Sequence, residues 1–383
     1  MSETLPTPDA AALAHSQRLC AHIRDHISAA DGWIPFSAFM QQALYTPGLG
    51  YYSGGAPKFG AGGDFVTAPT LTPLFGQTLA RQIRALLPQC GGRIYEFGAG
   101  NGALATTLLH ALNTEGLQEY CIVEVSAELA ERQRQYIAAH APEAAAKLRH
   151  LHTLPDTLEG VVIGNEVLDA MPVEVIRYQG GAYQQMGVAV VKGVFQWQPR
   201  PLHDERLQAL AAEYIPPVEG YGSEIHPQQQ AFLRTLAHSL VRGAVIMVDY
   251  GFDAAQFYHP QRQQGTLIGH YRHHVVHDVF FHPGLTDITA HVNFTDLAAT
   301  GAEGGLDLIG YTTQANFLLN LGITGLLAQC GDPADAAYIR QAAACQLLLS
   351  PQEMGELFKV MAWGRDVDVD WAGFAYGDMC HKL

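Results

Sequence analysis

Glu96-Phe97-Gly98-Ala99-Gly100-Asn101-Gly102 sets a carboxylate two residues ahead of three glycines at alternate positions. Glycine accepts positive φ and presents bare backbone, so a ligand can lie against such a turn. Ile94 and Tyr95 before it read as a strand, and Ala103-Leu104-Ala105-Thr106-Thr107-Leu108-Leu109 behind it as a helix. Strand, glycine turn and helix make the nucleotide-binding corner of a doubly wound α/β sheet. Dinucleotide folds space their glycines as G-x-G-x-x-G, which seats a pyrophosphate on the helix N-terminus. Here Glu96 would repel a pyrophosphate and favour a cationic amino-acid group, so an NAD-type ligand is the poorer fit.

A second carboxylate supports that corner. Cys121-Ile122-Val123-Glu124-Val125-Ser126 reads as the next strand, ending in Glu124, 22 positions after Gly102 (124 − 102). An acidic residue at the end of a second strand is placed to hold a ribose diol. Further on, the apolar run Gly160-Val161-Val162-Ile163-Gly164 leads straight into Asn165-Glu166-Val167-Leu168-Asp169. Ligands and chemistry in open α/β sheets lie beyond the carboxyl ends of the strands. One helical turn would bring Glu166 and Asp169 to one face, where they could grip a cationic acceptor. The same residues would also serve as a helix start, with Asn165 as cap and Asp169 in the first turn.

The elements that position these groups follow from periodicity. Ala10 to Ala30 has helical apolar spacing, Leu74 to Leu87 is a helix leading into the first core strand, and Ala127 to His140 is an Ala-rich helix. Val173 to Tyr178 and Tyr183 to Trp197 alternate around glycine turns, which predicts an antiparallel hairpin. Ala244 to Gly251 is a continuous apolar run of the kind buried in a parallel sheet, and Leu357 to Trp363 is a late strand. Two Gly-, Pro- and Tyr-rich stretches, Tyr45 to Gly55 and Gly60 to Pro69, are long loops that could fold over the ligand mouth. The fold class is α/β: a Rossmann-like core, mostly parallel with helices on both faces. Three stretches are expected: an N-terminal helical and loop segment, 1–63; the core, 64–252, with a hairpin insertion at about 173–200; and a mostly helical region, 253–383, with late core strands.

Bulk properties narrow the partners. The chain has 383 residues, a net charge of −15, and 48% hydrophobic against 15% charged residues, enough for a large ordered core. Such an acidic balance argues against nucleic acid, whose phosphates need Lys and Arg. No apolar run reaches bilayer length, the N-terminus lacks a signal-peptide layout, and the six cysteines show no C-x-x-C. A reduced cytoplasmic protein with no metal site is expected, and a homodimer is compatible with the sequence. His270, His273, His274, His277 and His282 lie close together, with His273 and His277 at helical i,i+4 spacing. With no Glu after the first His and no nearby Cys, they read as a surface or substrate-edge cluster.

The glycine motif resembles motif I of class I S-adenosylmethionine-dependent methyltransferases. The ordered set is more specific and is similar to the MidA-type family, which includes a mitochondrial complex I assembly factor that methylates an arginine of a respiratory-chain subunit. The resemblance runs from about Ser37 to Arg365. It is carried by Gly50-Tyr51-Tyr52, Gly63-Asp64-Phe65-Val66-Thr67-Ala68-Pro69, Glu96 to Gly102, Asn165 to Pro172 and Asp249-Tyr250-Gly251. It continues through Asp287 to Phe294, Gly310 to Gln314 and Phe358-Lys359-Val360. The chain departs from the family pattern at Thr70, where Glu is usual, and at Asn293, where Asp is usual. The resemblance implies S-adenosylmethionine as cofactor, held by Glu96, Gly98, Gly100, Gly102, Glu124, Val125, Asn165, Gly63, Asp64 and Thr67. It implies methyl transfer to a protein arginine; the residues themselves, rather than the resemblance, make Glu166 and Asp169 candidate catalytic residues, with His291 as a further candidate. His291 reads equally as a core histidine. A small-molecule methyltransferase and a non-catalytic assembly factor that keeps the cofactor fold are the alternatives.

Overall fold

The computed structural model describes residues 5–54 and 67–383. The chain divides into two compact units. One comprises Val66–Leu168, Phe232–Phe252 and Phe294–Leu383, and it carries the glycine motif.

In this unit the strands are β1 (Arg93–Phe97), β2 (Glu119–Val123), β3 (Leu148–Leu151), β4 (Leu158–Asn165), β5 (Leu240–Phe252), β6 (Asp307–Thr313) and β7 (Phe358–Arg365). They lie side by side in the order β6-β7-β5-β4-β1-β2-β3. The pairs β1–β2, β2–β3, β1–β4 and β4–β5 are parallel, whereas β7 runs antiparallel to both β5 and β6. Register puts Phe97 opposite Val123 and Val248 opposite Asn165. The ends at Glu96, Glu124, Asn165 and Asp249 therefore share one edge of the sheet, as the apolar runs predicted. Strand order and the single reversed strand are those of a class I methyltransferase core, so the α/β expectation holds.

Sequence explains these elements. Val161, Val162 and Ile163 in β4 and Ala244 to Val248 in β5 are all almost fully buried. That is the unbroken apolar run of a strand covered on both faces. Helix α1 (Pro73–Leu86) starts with Pro73 in its first turn, and the Thr72 hydroxyl accepts from Leu74 N. Helix α2 (Ala103–Leu112) buries Leu104, Ala105, Leu108, Leu109 and Leu112, one stripe at helical spacing. Gly76 of α1 permits close approach to α2, since a Cβ there would lie 2.8 Å from Thr107 Cγ2. Helix α3 (Ala127–His140) is capped by Ser126 and turns Ala130, Gln133 and Ile137 inward.

The other unit comprises Met1–Phe65, Asp169–Ala231 and Asp253–Asn293. The predicted hairpin forms, as Glu174–Gln179 against Ala182–Val191. It gathers more chain than the 173–200 insertion expected: Trp33–Pro35 and Val194–Pro201 pair with Ala182–Val191, and Gly222–Ile225 pairs with Glu174–Gln179. These pairings tie the N-terminal segment to the insertion, which is why the unit boundaries differ from the three stretches read along the sequence. A second small sheet, with Ile268–Tyr271 between His274–Val276 and Asp287–Thr289, occupies a region expected to be mostly helical. The helices Ala10–Ala29 and Phe36–Tyr45 supply Leu19, Ile23, Phe36, Phe39 and Met40 to this unit's core. Among the described residues no helix is long and apolar enough to cross a membrane.

Candidate functional site

At the common strand edge, Gly98, Gly100 and Gly102 have φ of 65°, 53° and 86°. Only glycine takes such values without strain. Gly102 caps α2 from the left-handed region, so the turn passes directly into the helix. Gly98 also faces Val167, whose Cγ2 would lie 2.6 Å from a Cβ. The loop thus keeps a bare backbone surface, as the spacing predicted.

Glu96 lies just before this turn, only 2% exposed, and accepts a hydrogen bond from Tyr120 Oη at 2.7 Å. Burial pushes its carboxyl up to about 7, and the Tyr120 bond pulls the other way. Taking a charge out of water is costly unless it is paired, which is the origin of that rise. Glu124 follows β2 and is partly buried. Its Oε1 accepts from Ser126 N at 2.8 Å, and its Oε2 faces Gln133 Nε2 at 3.4 Å. Burial raises this carboxyl too, against the hydrogen bonds from Ser126 and Gln133. Val125, beside it, is 82% exposed, an apolar side chain left open where a flat apolar ligand face could cover it.

The end of β4 departs from expectation. No helical turn forms over Asn165 to Asp169; the chain bends instead, with Glu166 at a φ of 54°. Asp249 is the cause. Its Oδ2 accepts from Val167 N at 3.1 Å and Leu168 N at 2.9 Å, while Glu166 N donates to Val248 O at 2.9 Å. Strand β5 therefore claims the amides, and Pro172 further disfavours helix at Met171. Neither the shared helical face of Glu166 and Asp169 nor the capped helix start is realised. Asn165 Nδ2 donates to Glu166 Oε1 at 3.0 Å, and Asn165 Oδ1 is buried with no hydrogen-bond partner among the described residues. A buried acceptor without a donor is costly, so it marks a place where a ligand N–H or O–H is wanted.

Thr67 caps the short helix Ala68–Leu71, with Thr70 completing a capping box through Thr67 N at 3.1 Å. Thr70 thus supplies the reciprocal bond of a capping box, the place that Glu or Gln commonly fills. Gly63 and Asp64, with the rest of the Gly60 to Val66 loop, lie outside the described residues. Asp169 and His291 belong to the other unit. The Asp169 carbonyl accepts from Ala290 N at 3.0 Å. His291 N donates to Thr266 Oγ1 and its carbonyl accepts from His226 Nε2, both at 3.0 Å. In the same unit the Tyr52 hydroxyl donates to both oxygens of the buried Asp287 carboxylate, at 2.9 and 3.0 Å. Burial, then Asp287 and Asp169, raise the Tyr45 and Tyr52 hydroxyls well above their ordinary value. His273 does not pair helically with His277: it turns a hairpin at a φ of 66°. Among the described residues no group of three or more His, Cys, Asp or Glu could hold a metal.

Sequence reasoning missed Tyr120, Gln133, Tyr45 and the hydrogen-bonding role of Asp249. Only Gln133 left a readable sign, a polar residue on the apolar stripe of α3.

The glycine loop, the strand-end carboxylate of Glu124 and the Asn165 acceptor fit an adenosyl amino acid, and comparison with known proteins agrees. A family model for S-adenosyl-L-methionine-dependent methyltransferases matches residues 74–312. A Burkholderia thailandensis protein crystallised with S-adenosyl-homocysteine is 50% identical, over 99% of this chain and 100% of its own, with a TM-score of 0.95. A native crystal structure from the same organism is 49% identical over the same shares, with a TM-score of 0.92. The mitochondrial protein arginine methyltransferase NDUFAF7 of Danio rerio is 25% identical, covering 90% of this chain and 86% of its own length. Its Mus musculus counterpart is 26% identical over 86% and 81%. On the matched model, the strand order and the glycine corner together, the chain belongs to the S-adenosyl-L-methionine-dependent methyltransferase family, with S-adenosylmethionine as its cofactor.

Proposed function

We propose that the methyl acceptor is an arginine of a protein partner, a respiratory complex I-type subunit by family resemblance, and that Glu166 grips its guanidinium. The observation that carries this is the Glu166 carboxylate, fixed at the end of β4 by Asn165 and by backbone pinned to β5. The names of the NDUFAF7 relatives support the acceptor class. Bound S-adenosylmethionine supplies an electrophilic methyl on a sulfonium. The residues' share is positioning. Gly98, Gly100 and Gly102 give the amino-acid end bare backbone, Glu124 takes the ribose hydroxyls, and Asn165 Oδ1 takes a donor.

Guanidinium has a pKa above about 12 and is a poor nucleophile. A carboxylate that pairs with two of its nitrogens draws positive charge toward them and leaves the third better able to attack. Asp169, three residues on, is the second candidate for that grip, and His291 a candidate proton acceptor. The protein and wild-type or Glu166→Gln variants are incubated with labelled S-adenosylmethionine in lysate from cells lacking the protein, and the labelled species are identified by mass spectrometry. The expected outcome is label on arginine, nearly lost in Glu166→Gln while S-adenosylhomocysteine affinity stays within about three-fold, because the contact matters in the transition state. Label on lysine, or on a metabolite and no protein, ends the arginine reading. Loss of cofactor affinity in the variant moves Glu166 into the cofactor site.

A further inference from the structure

Gln133 lies on the inward face of α3 between Ala130 and Ile137 and is fully buried. Helical spacing would place an apolar residue there. Its Nε2 reaches the Gly100 carbonyl at 3.0 Å and Glu124 Oε2 at 3.4 Å, and its Oε1 faces His150 Nε2 at 2.9 Å. Both neighbours of Nε2 only accept, so the amide has one workable orientation and His150 must carry its proton on Nε2. Burial lowers the His150 pKa, which favours the neutral ring.

We propose that Gln133 is a positioning residue for the cofactor, whose one amide holds the glycine loop at Gly100 and the Glu124 carboxylate in a single relative arrangement. The Ser126 amide fixes one oxygen of Glu124, and rotation about the last side-chain torsion is otherwise soft. The Gln133 donor holds the second oxygen. A carboxylate has about four acceptor positions, so two such bonds leave room for a ribose diol. Packing brings α3 against the same turn: a Cβ on Gly102 would lie 3.8 Å from Gln133 Cα. The inference rests on Glu124 as the ribose ligand.

The test uses isothermal titration of the full chain with S-adenosylhomocysteine and with its 2′-deoxyribose analogue. Wild type is expected to prefer the ribose form. Gln133→Met, similar in size and suited to a helix, is expected to lose about ten-fold in S-adenosylhomocysteine affinity and most of that preference. Combined with Glu124→Ala it should erode the preference no further than Glu124→Ala alone. Gln133→Asn, too short to span both partners, should repeat the result and stands in if the Met variant does not fold. Equal weakening toward both ligands, or unchanged affinity, overturns the proposal and leaves Gln133 a packing residue. A preference that survives Glu124→Ala shows instead that the ribose assignment has failed, and the positioning role falls with it.

Discussion

Glu96 offers a sharp test of how the cofactor corner is built. Its carboxyl is pushed from an ordinary 4.5 to about 7, first by burial, with the Tyr120 bond opposing. The folded chain therefore holds this proton more tightly than the unfolded chain. Stability from this group is full below the unfolded value and is lost as pH rises through the folded one. At about 1.36 kcal/mol per pH unit, the interval from 4.5 to about 7 is worth about 3 kcal/mol. Glu96→Gln keeps the shape and an acceptor for Tyr120 but cannot ionise. Urea unfolding of both proteins between about pH 4.5 and pH 8 should show the wild type losing about 3 kcal/mol more than the variant across that window. Added S-adenosylhomocysteine should return part of the loss at the upper end, because its ammonium would stabilise the ionised carboxylate. Parallel pH profiles for the two proteins would refute the reasoning, since a buried carboxyl that titrates must leave its mark on stability.

Glu124→Ala should weaken S-adenosylhomocysteine binding by about 1.5–3 kcal/mol, read by isothermal titration, with little change in thermal stability. Gly98→Ala combines a φ of 65° with a Cβ 2.6 Å from Val167 Cγ2 and should cost about 2–4 kcal/mol in urea unfolding. Asp249→Ala leaves the Val167 and Leu168 amides without their acceptor. It should cost about 2–5 kcal/mol and speed amide hydrogen exchange there, and unchanged exchange would show that the bend is held by something else.

The core was legible because its strands are unbroken apolar runs and its helices carry clean stripes. Val161-Val162-Ile163 and Ala244 to Val248 can be little else than buried strands, and the glycines at alternate positions mark the turn between β1 and α2. The second unit was less legible because its pairings join distant stretches. Nothing local in Trp33-Ile34-Pro35 announces that it pairs with Val188 and its neighbours, more than a hundred residues away. At the site, carboxylate positions were readable from strand ends but their surroundings were not. Glu96 is bonded to a tyrosine on the next strand, and Asn165 to Asp169 read as a helical turn by spacing. It bends because an aspartate on a strand far along the chain takes its amides.

That bend is where fold and chemistry meet. A non-glycine residue at a φ of 54° sits in a sparsely populated region and persists only when its surroundings over-determine it. Here they do: the Glu166 amide is tied to Val248, the next two amides to Asp249, and the side chain to Asn165. A helical start would have left those amides pointing along a helix axis and the carboxylate on a mobile first turn. By spending backbone strain at one residue, the chain sets Glu166 rigidly beside the open acceptor of Asn165, at the same sheet edge as the glycine loop. A group-transfer enzyme works by holding its reactants in line, so stiffness at that position suits the acceptor grip proposed for Glu166. On that proposal Asp249, near the end of β5, serves the chemistry without needing to touch a ligand.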